Sequence, residues 1–309
     1  MGLPNVYTAA RCSEGLLEQA SLDAVSCGTG TGKTAIGKCG MDGVCPFRAG
    51  TSRLNTNWDT SFLNRWVDAD SLIVNPAVPF EVFLPPPDLD DIHLIGTKDQ
   101  NGFNSGIIFF RVHPWTVSFL AETIAYPMCR PDEDLGYSFD QEAMARLLRR
   151  ADGPPASPIY ADQTVFMPRP WINTYEFHHA YEGNRGDMLV HFPGLEDDRA
   201  PHMEKWLGEL ETNQQYWEVP LDETEYPNRT KTFWKDIREA RNAANVVQEA
   251  IALAPEGTPT ASRREALAYL RHILRTESDN ADKIHEAMDV LNAAIAQDAE
   301  SFESQNQEG

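Results

Sequence analysis

Between Phe62 and Phe192, apolar runs of strand length alternate with helical stripes, and this alternation constrains the fold more than any other feature of the chain. Phe62–Val67, Ser71–Val74, His93–Gly96, Ile107–Val112, Thr164–Met167 and Met188–Phe192 have the length and apolar content of strands. Trp115–Ala125 and Gln141–Arg150 instead carry apolar residues at three- and four-residue steps, the period of a helix. Strands interleaved with helices predict an α/β layer fold. The prolines at 85–87 and within 154–158 mark surface loops. After Pro220 the pattern becomes purely helical. Trp234–Leu253, with Trp234, Ile237, Val247 and Ile251, is followed by the amphipathic runs Ser262–Leu274 and Asp282–Ala296. Gly257 and Pro259 separate the first helix from the second, and 297–309 reads as a frayed acidic end. The first 55 residues differ from both parts. Nine of the 20 glycines precede residue 51, and four of the five cysteines (Cys12, Cys27, Cys39, Cys45) lie there too. One short helix near Glu14–Val25 and then loop is the expectation. Three regions result: an irregular segment at 1–55, an α/β core at 56–220 and a helical acidic extension at 221–309.

Charge excludes several function classes. The chain has 26 bases against 47 acids, a net charge of -21. Nucleic acid and anionic lipid both need a basic patch, so neither is an expected partner. A phosphate-ester substrate would have to be held by something other than bulk charge. No run of 18 apolar residues is present, so no transmembrane helix is expected. The first 25 residues lack the basic and apolar regions of a signal peptide. The cysteine spacing fits neither a zinc site nor an even disulfide framework.

Five segments could carry chemistry. Gly28-Thr-Gly-Thr-Gly-Lys33-Thr34 ends like a phosphate-binding P-loop. It has no strand before it, and Gly37, Gly40 and Gly43 forbid the helix that should follow, so a flexible loop is the better reading. Trp66-Val-Asp68-Ala-Asp70 brings an apolar strand into two carboxylates at i and i+2. Alternation along a strand puts both on one side, where hard oxygen ligands suit Mg²⁺ or Mn²⁺. Such a cation could bridge to a diphosphate and supply the positive charge that the chain lacks. Asp99-Gln-Asn101-Gly102-Phe-Asn104-Ser-Gly106 precedes the strand at Ile107. Its glycines permit a ligand to approach the backbone, and its Asn amides can both donate to and accept from sugar hydroxyls. Ser138-Phe-Asp140-Gln141-Glu142 opens a helix, with Ser138 or Asp140 as N-cap. Arg185-Gly-Asp187-Met-Leu-Val-His191-Phe-Pro-Gly194 ends an apolar strand in a histidine, whose neutral imidazole suits a divalent metal. Asp68, Asp70 and His191 each end an apolar strand, so their ligand groups are expected within about 6 Å of one another.

In this order the segments resemble the fungal galactosyltransferase/mannosyltransferase family, glycosyltransferase family 34. The matching features are Val67-Asp-Ala-Asp-Ser-Leu-Ile-Val-Asn-Pro76, Asn101-Gly-Phe-Asn-Ser-Gly-Ile-Ile-Phe-Phe-Arg111 with Trp115 beyond it, Asp140-Gln-Glu-Ala-Met144, and Gly186-Asp-Met-Leu-Val-His-Phe-Pro-Gly194. The resemblance spans residues 58–210 or so. It implies a GT-A fold, here incomplete at its N-terminus with a helical C-terminal extension. It also implies a divalent cofactor, usually Mn²⁺ (or Mg²⁺), a nucleotide-sugar donor and transfer with retention at the anomeric carbon. UDP-galactose is the favoured donor and a glycan or glycoprotein the acceptor.

Carried over by the resemblance, Asp68, Asp70 and His191 are the metal ligands. Asp68, Asp99, Asn101, Gly102 and Asn104 would bind the donor, with Asp140 and Gln141 at the sugar's reactive face. There the Gln141 amide would steady charge developing at the anomeric carbon. The family's nucleoside-gripping β-α-β unit has no recognisable counterpart in 1–55. Where the family follows His-Phe-x-Gly with Cys or Lys, this chain has Leu195-Glu-Asp-Asp198, which predicts a weak hold on the diphosphate. The resemblance implies the Golgi lumen behind a membrane anchor, whereas the chain taken as given would be cytosolic. Asn228-Arg-Thr230 is a glycosylation sequon that would matter only in the lumen. The rival expectation is a catalytically weak or inactive homologue that binds a partner through its acidic helices.

Overall fold

The computed structural model describes residues 64–149, 159–255 and 258–307. The expected helix near Glu14–Val25, the P-loop-like stretch Gly28–Thr34, the prolines at 154–158 and Gly257 lie outside the described residues.

In chain order the elements are strands β1 (Asn64–Val67), β2 (Ser71–Ile73), β3 (Leu94–Asp99) and β4 (Gly102–Phe110), helices α1 (Pro114–Cys129) and α2 (Phe139–Arg149), strand β5 (Thr164–Phe166), and the single turn α3 (Arg169–Ile172). Strand β6 (Leu189–His191) and helices α4 (Arg199–Trp217), α5 (Tyr226–Ala252), α6 (Ala261–Thr276) and α7 (Ala281–Gln307) complete the chain. The fold is mixed α/β with a helical C-terminal part. A four-stranded sheet runs β1-β4-β3-β5, with β3 and β5 parallel and the other pairs antiparallel. A small antiparallel pair, β2 and β6, stands beside it in the register Ser71↔His191.

Strand β4 shows why the sheet sits in the middle. Ile107, Ile108, Phe109 and Phe110 are all buried, and alternation sends them to opposite faces. Ile107 and Phe109 join Ile95 and Val165 in a cluster with Trp234, Ile237, Leu270, Ile273 and Leu291 from α5, α6 and α7. Ile108 and Phe110 join Leu94 and Phe103 against Trp115 and Phe119 of α1 and Leu147 and Leu148 of α2. A strand buried on both faces needs the continuous apolar run that β4 has. A third cluster seats Trp206 of α4 on Val74, Val190 and Phe192 around the small sheet.

The helices follow their sequence signals. Pro114 opens α1 at a position where no amide hydrogen bond is lost, and the His113 imidazole Nδ1 accepts from the Trp115 amide at 3.1 Å. Helix α5 buries Tyr226, Thr230, Phe233, Ile237, Ala240, Ala244, Val247 and Ile251, an unbroken three-and-four spacing over 27 residues.

Several expectations need correction. Strand β4 begins at Gly102, so Asn104 and Gly106 lie within a strand, not in a loop before one. The Asp99–Gly102 turn is tight enough to join β3 and β4 directly, with Gly102 at φ +104°. The segment 199–217, for which no helix is expected from the sequence, is α4. The expected frayed end is helical through Gln307. No helix among the described residues is long and apolar enough to cross a membrane.

Candidate functional site

The site forms where three chain reversals meet. The chain leaves β1 at Val67, turns through Asp68-Ala-Asp70 and enters β2. The Asp68 amide donates to the Gly106 carbonyl at 2.8 Å, which ties this turn to β4. The Phe192 amide donates to the Asp70 carbonyl at 2.9 Å, which ties it to the end of β6. His191 is thereby brought beside both aspartates. One ligand atom from each of Asp68, Asp70 and His191 lies within 4.8 Å of the other two. Among the described residues no other trio of His, Cys, Asp or Glu converges in this way.

His191 is nearly inaccessible, with 3% of its side chain exposed, and its orientation is fixed from behind. Its Nδ1 is 2.7 Å from Asn173 Oδ1. Asn173 cannot be turned round, because its amide nitrogen donates to Thr97 Oγ1 and to Asn104 Oδ1, each at 2.9 Å. The Asn173 oxygen therefore faces the ring, and the hydrogen of the imidazole is assigned to Nδ1. Nε2 faces Asp70 Oδ1 at 3.3 Å and donates to it when protonated; a cation would displace that proton and take the lone pair. With Nδ1–H held by Asn173, Nε2 is the ring atom open to a metal, oriented by the kind of outer contact that orients ligating histidines. The network continues outward. Asn104 donates to Asp99 Oδ2 at 3.2 Å, and Tyr175 donates to the same oxygen at 3.0 Å.

Gly106 is part of the same cradle. A Cβ placed there would lie 2.4 Å from His191 Cε1 and 3.1 Å from Nδ1. The ring lies directly on the backbone of β4, and only glycine leaves room for it.

The two aspartates titrate in opposite directions. Burial pushes Asp68 above its ordinary value; the Trp66 indole hydrogen bond and the His191 charge pull the other way, while Asp70 and Asp140 add to the rise. Burial also acts to raise Asp70, but the hydrogen bond and charge of His191 and the Arg199 guanidinium together hold it below its ordinary value. The influence of Asp140 on Asp68 places the exposed start of α2 within electrostatic reach of the site.

The other residues expected from the sequence divide into two sets. Asn101 is exposed at the hairpin tip and its amide donates to Asp99 Oδ1 at 2.7 Å; Gly102 follows it in the left-handed turn. Asn104, in contrast, is buried. Its oxygen takes the Gly106 amide at 2.9 Å as well as Asn173, so three of its four hydrogen-bonding positions are filled from within the protein. Gln141 Oε1 accepts from the Ser105 amide at 3.0 Å and its hydroxyl at 3.3 Å, so the NH₂ is the open end of that side chain.

Two residues were missed by sequence reasoning. Asn173 stands in Trp171-Ile-Asn-Thr-Tyr175, which has no motif character. Arg199 opens α4 with its Nε 3.1 Å from Asp70 Oδ2, oriented as an ion pair without hydrogen-bond alignment, and its side chain is 42% exposed. The turn between β6 and α4 puts it there. Gly194 and Glu196 both adopt positive φ, at 68° and 46°, and the chain doubles back over Asp70. Glu196, Asp197 and Asp198 point to solvent, and Asp198 pairs with His178 at 3.2 Å. The cation that the sequence appeared to lack is thus supplied one residue beyond the acidic run.

Comparison with known proteins adds one finding. Residues 87–200 match the model of the galactosyl transferase GMA12/MNN10 family. This stretch covers β3 through the start of α4 and includes His191, Asn173, Gln141 and Arg199, while Asp68 and Asp70 precede it. No curated protein and no solved structure matches the chain.

Proposed function

We propose that this protein is a glycosyltransferase of GT-A type. It would use a divalent cation to transfer a hexose, with galactose favoured, from a nucleotide-sugar to a glycan acceptor with retention. The observation that carries this reading is the Asp68, Asp70 and His191 trio, with His191 Nδ1 held by Asn173 and Nε2 turned to the two carboxylates. The family match over residues 87–200 supplies the reaction class. Two carboxylates and a neutral imidazole fit Mn²⁺ well and Mg²⁺ acceptably, because nitrogen ligands suit the softer ion.

When bound, the cation would supply Lewis acidity at the leaving diphosphate. The chain's own residues do the rest. Asp68, Asp70 and His191 would hold the cation, which would share Asp70 with Arg199. The Arg199 guanidinium, beside Asp70, would be available to the diphosphate, which planar paired donors suit. Asn173 and Gly106 keep the His191 ring in place. Asp99, fixed by Tyr175 and Asn104, presents the Asn101–Gly102 turn to the donor sugar. Asp140 is the carboxylate available to offset positive charge at the anomeric carbon. Gln141, anchored on Ser105, holds the start of α2 against β4 and offers its NH₂ to substrate.

A lumenal setting is part of the proposal. The sequon lies in the first turns of α5, with Asn228 exposed and the Thr230 hydroxyl buried and donating to Tyr226 O at 2.7 Å. Glycan addition there must precede folding, and a glycosidase-sensitive mass shift in protein from a fungal host would report it. The reaction itself is tested by donor hydrolysis with UDP-galactose, UDP-glucose, UDP-xylose and GDP-mannose, with and without Mn²⁺. Turnover that requires both Mn²⁺ and Asp70 is expected. Turnover that survives chelation or Asp70→Ala would overturn the metal-dependent reading.

A further inference from the structure

A second cluster of charge lies at the opposite end of β3. The trio is tied through Asn173 to Thr97 and Asn104, near the β3–β4 hairpin. At the other end, where Leu94 pairs with Thr164, helices α5 and α6 face the 159–163 turn. They leave a cleft of about 400 Å³ between them and that turn. A second hollow of about 340 Å³ continues from it along α5 and α6. Arg271 and Arg275 line both, Arg241 closes one end and Arg264 the other.

Two of these arginines are fully explained by the fold. Arg241 pairs with Asp91 and donates to the Asp162 carbonyl at 3.0 Å. Arg275 donates to Asp162 Oδ1 at 2.7 Å. Both staple the helices to the turn beside β5. The other two are not explained in this way. Arg271 donates only to the neutral Gln248 amide oxygen, at 3.0 Å, and Arg264 only to Thr260 Oγ1 within its own helix, at 3.1 Å. Neither has an ion pair among the described residues. The two hollows therefore bring four guanidinium groups together against two carboxylates, Asp91 and Asp162, in a chain with 47 acids to 26 bases. Acidic residues are plentiful, yet none lies opposite Arg271 or Arg264.

We propose that this cleft binds a diphosphate-class oxyanion, with Arg271 as its principal ligand and Arg275, whose Nε is paired with Asp162, supplying its remaining N–H groups. Positions 271 and 275 are one helical turn apart, about 6 Å along the axis, and share a face of α6. That spacing lets two neighbouring guanidiniums grip two linked phosphoryl groups, each through paired N–H donors. Asp91 and Asp162 hold Arg241 and Arg275 in place before the anion arrives, so little ordering is needed on binding. Arg264, two turns back along the same stripe, extends the site towards whatever group carries the diphosphate. The anion offsets a local excess of positive charge that the protein itself leaves uncompensated. The inference does not depend on the transferase reading, because it shares no residue with the Asp68 site.

The test is calorimetry of the full chain with inorganic diphosphate in EDTA, which removes any contribution of a cation at Asp68 and Asp70. Ionic strength is held constant with sodium chloride. Saturable binding at one site is expected, weakened about tenfold or more by Arg271→Gln, a loss comparable to one charge-assisted contact. UDP against UDP-galactose then distinguishes a free terminal phosphate from an esterified one. Should Arg271→Gln fail to fold, Arg264→Gln and Arg271→Lys replace it, each with weaker binding expected because the paired N–H donors are lost. No saturable binding of diphosphate, or binding that Arg271→Gln and Arg264→Gln leave intact, would overturn the proposal.

Discussion

Gly106→Ala is the smallest change that should disable the candidate metal centre while leaving every ligand in the sequence. The new methyl carbon would sit 2.4 Å from His191 Cε1, 3.0 Å from Asn104 Oδ1 and 3.1 Å from His191 Nδ1. Ordinary carbon contact begins near 3.4 Å, so the ring must retreat by about 1 Å. Metal–ligand distances tolerate only about 0.2 Å. The ring is also pinned through Nδ1 to Asn173, so retreat breaks a buried hydrogen bond. The overlap should cost about 1–3 kcal/mol of stability, the usual range for a methyl forced into a packed interior. The loss of Mn²⁺ affinity should be larger, about 100-fold or more, because the imidazole leaves the coordination sphere altogether. Calorimetry with Mn²⁺ measures the second quantity and thermal denaturation the first. Gly96→Ala is the control. Its Cβ would meet Phe103 Cε2 at 2.9 Å, away from the trio, so it should destabilise without touching Mn²⁺ affinity. Parental Mn²⁺ affinity in Gly106→Ala would show that His191 is not a ligand in this orientation, and the argument from the Gly106 cradle would fail.

Three further outcomes follow from the same geometry. Asn173→Ala should lower Mn²⁺ affinity by about 10–100-fold, because the His191 ring loses the contact that sets its tautomer; an unchanged titration would separate Asn173 from the site. In EDTA, Asp68→Asn and Asp70→Asn should shift the thermal midpoint in opposite directions at neutral pH. Asp68 is raised in the fold, so its contribution is favourable at low pH and is lost as pH rises through that raised value; the neutral amide keeps it and stabilises. Asp70 is lowered, so its contribution is present above the ordinary carboxylate value and is lost as pH falls through the depressed one; the amide forfeits it at neutral pH and the difference closes in acid. Equal signs across a pH series of melts would contradict both assignments. Arg199→Ala should bind Mn²⁺ more tightly, since a competing cation leaves Asp70, and bind UDP with Mn²⁺ more weakly; tighter binding of both would remove Arg199 from the diphosphate.

The parts legible in the sequence are those written in local pattern. Strand β4 declares itself because burial on both faces demands four consecutive apolar residues. Helix α5 does so because one face of 27 residues is buried at every turn. Asp68 and Asp70 stand out because two carboxylates at the end of an apolar run are conspicuous. Helix α4 was not legible, since Trp206 is its one fully buried residue and Met203, Leu210 and Trp217, which pack beside it, are only half-buried. Asn173 carries no local signal; its meaning comes from three partners 18 to 76 residues away. Arg199 was masked by Glu196–Asp198, whose charge dominates the sequence locally while their side chains face water. A tight turn with two positive-φ residues decides which charge reaches the site, and the identity of Glu196 does not announce it.

The central claim is that Asp68, Asp70 and His191 share one divalent cation, and pulsed electron spin resonance of Mn²⁺ bound to the protein tests it most directly. The account predicts nitrogen modulation from one imidazole, lost in His191→Ala, and phosphorus coupling that appears when UDP is added to the parent. Bound Mn²⁺ without nitrogen modulation, or with modulation that persists in His191→Ala, would contradict it.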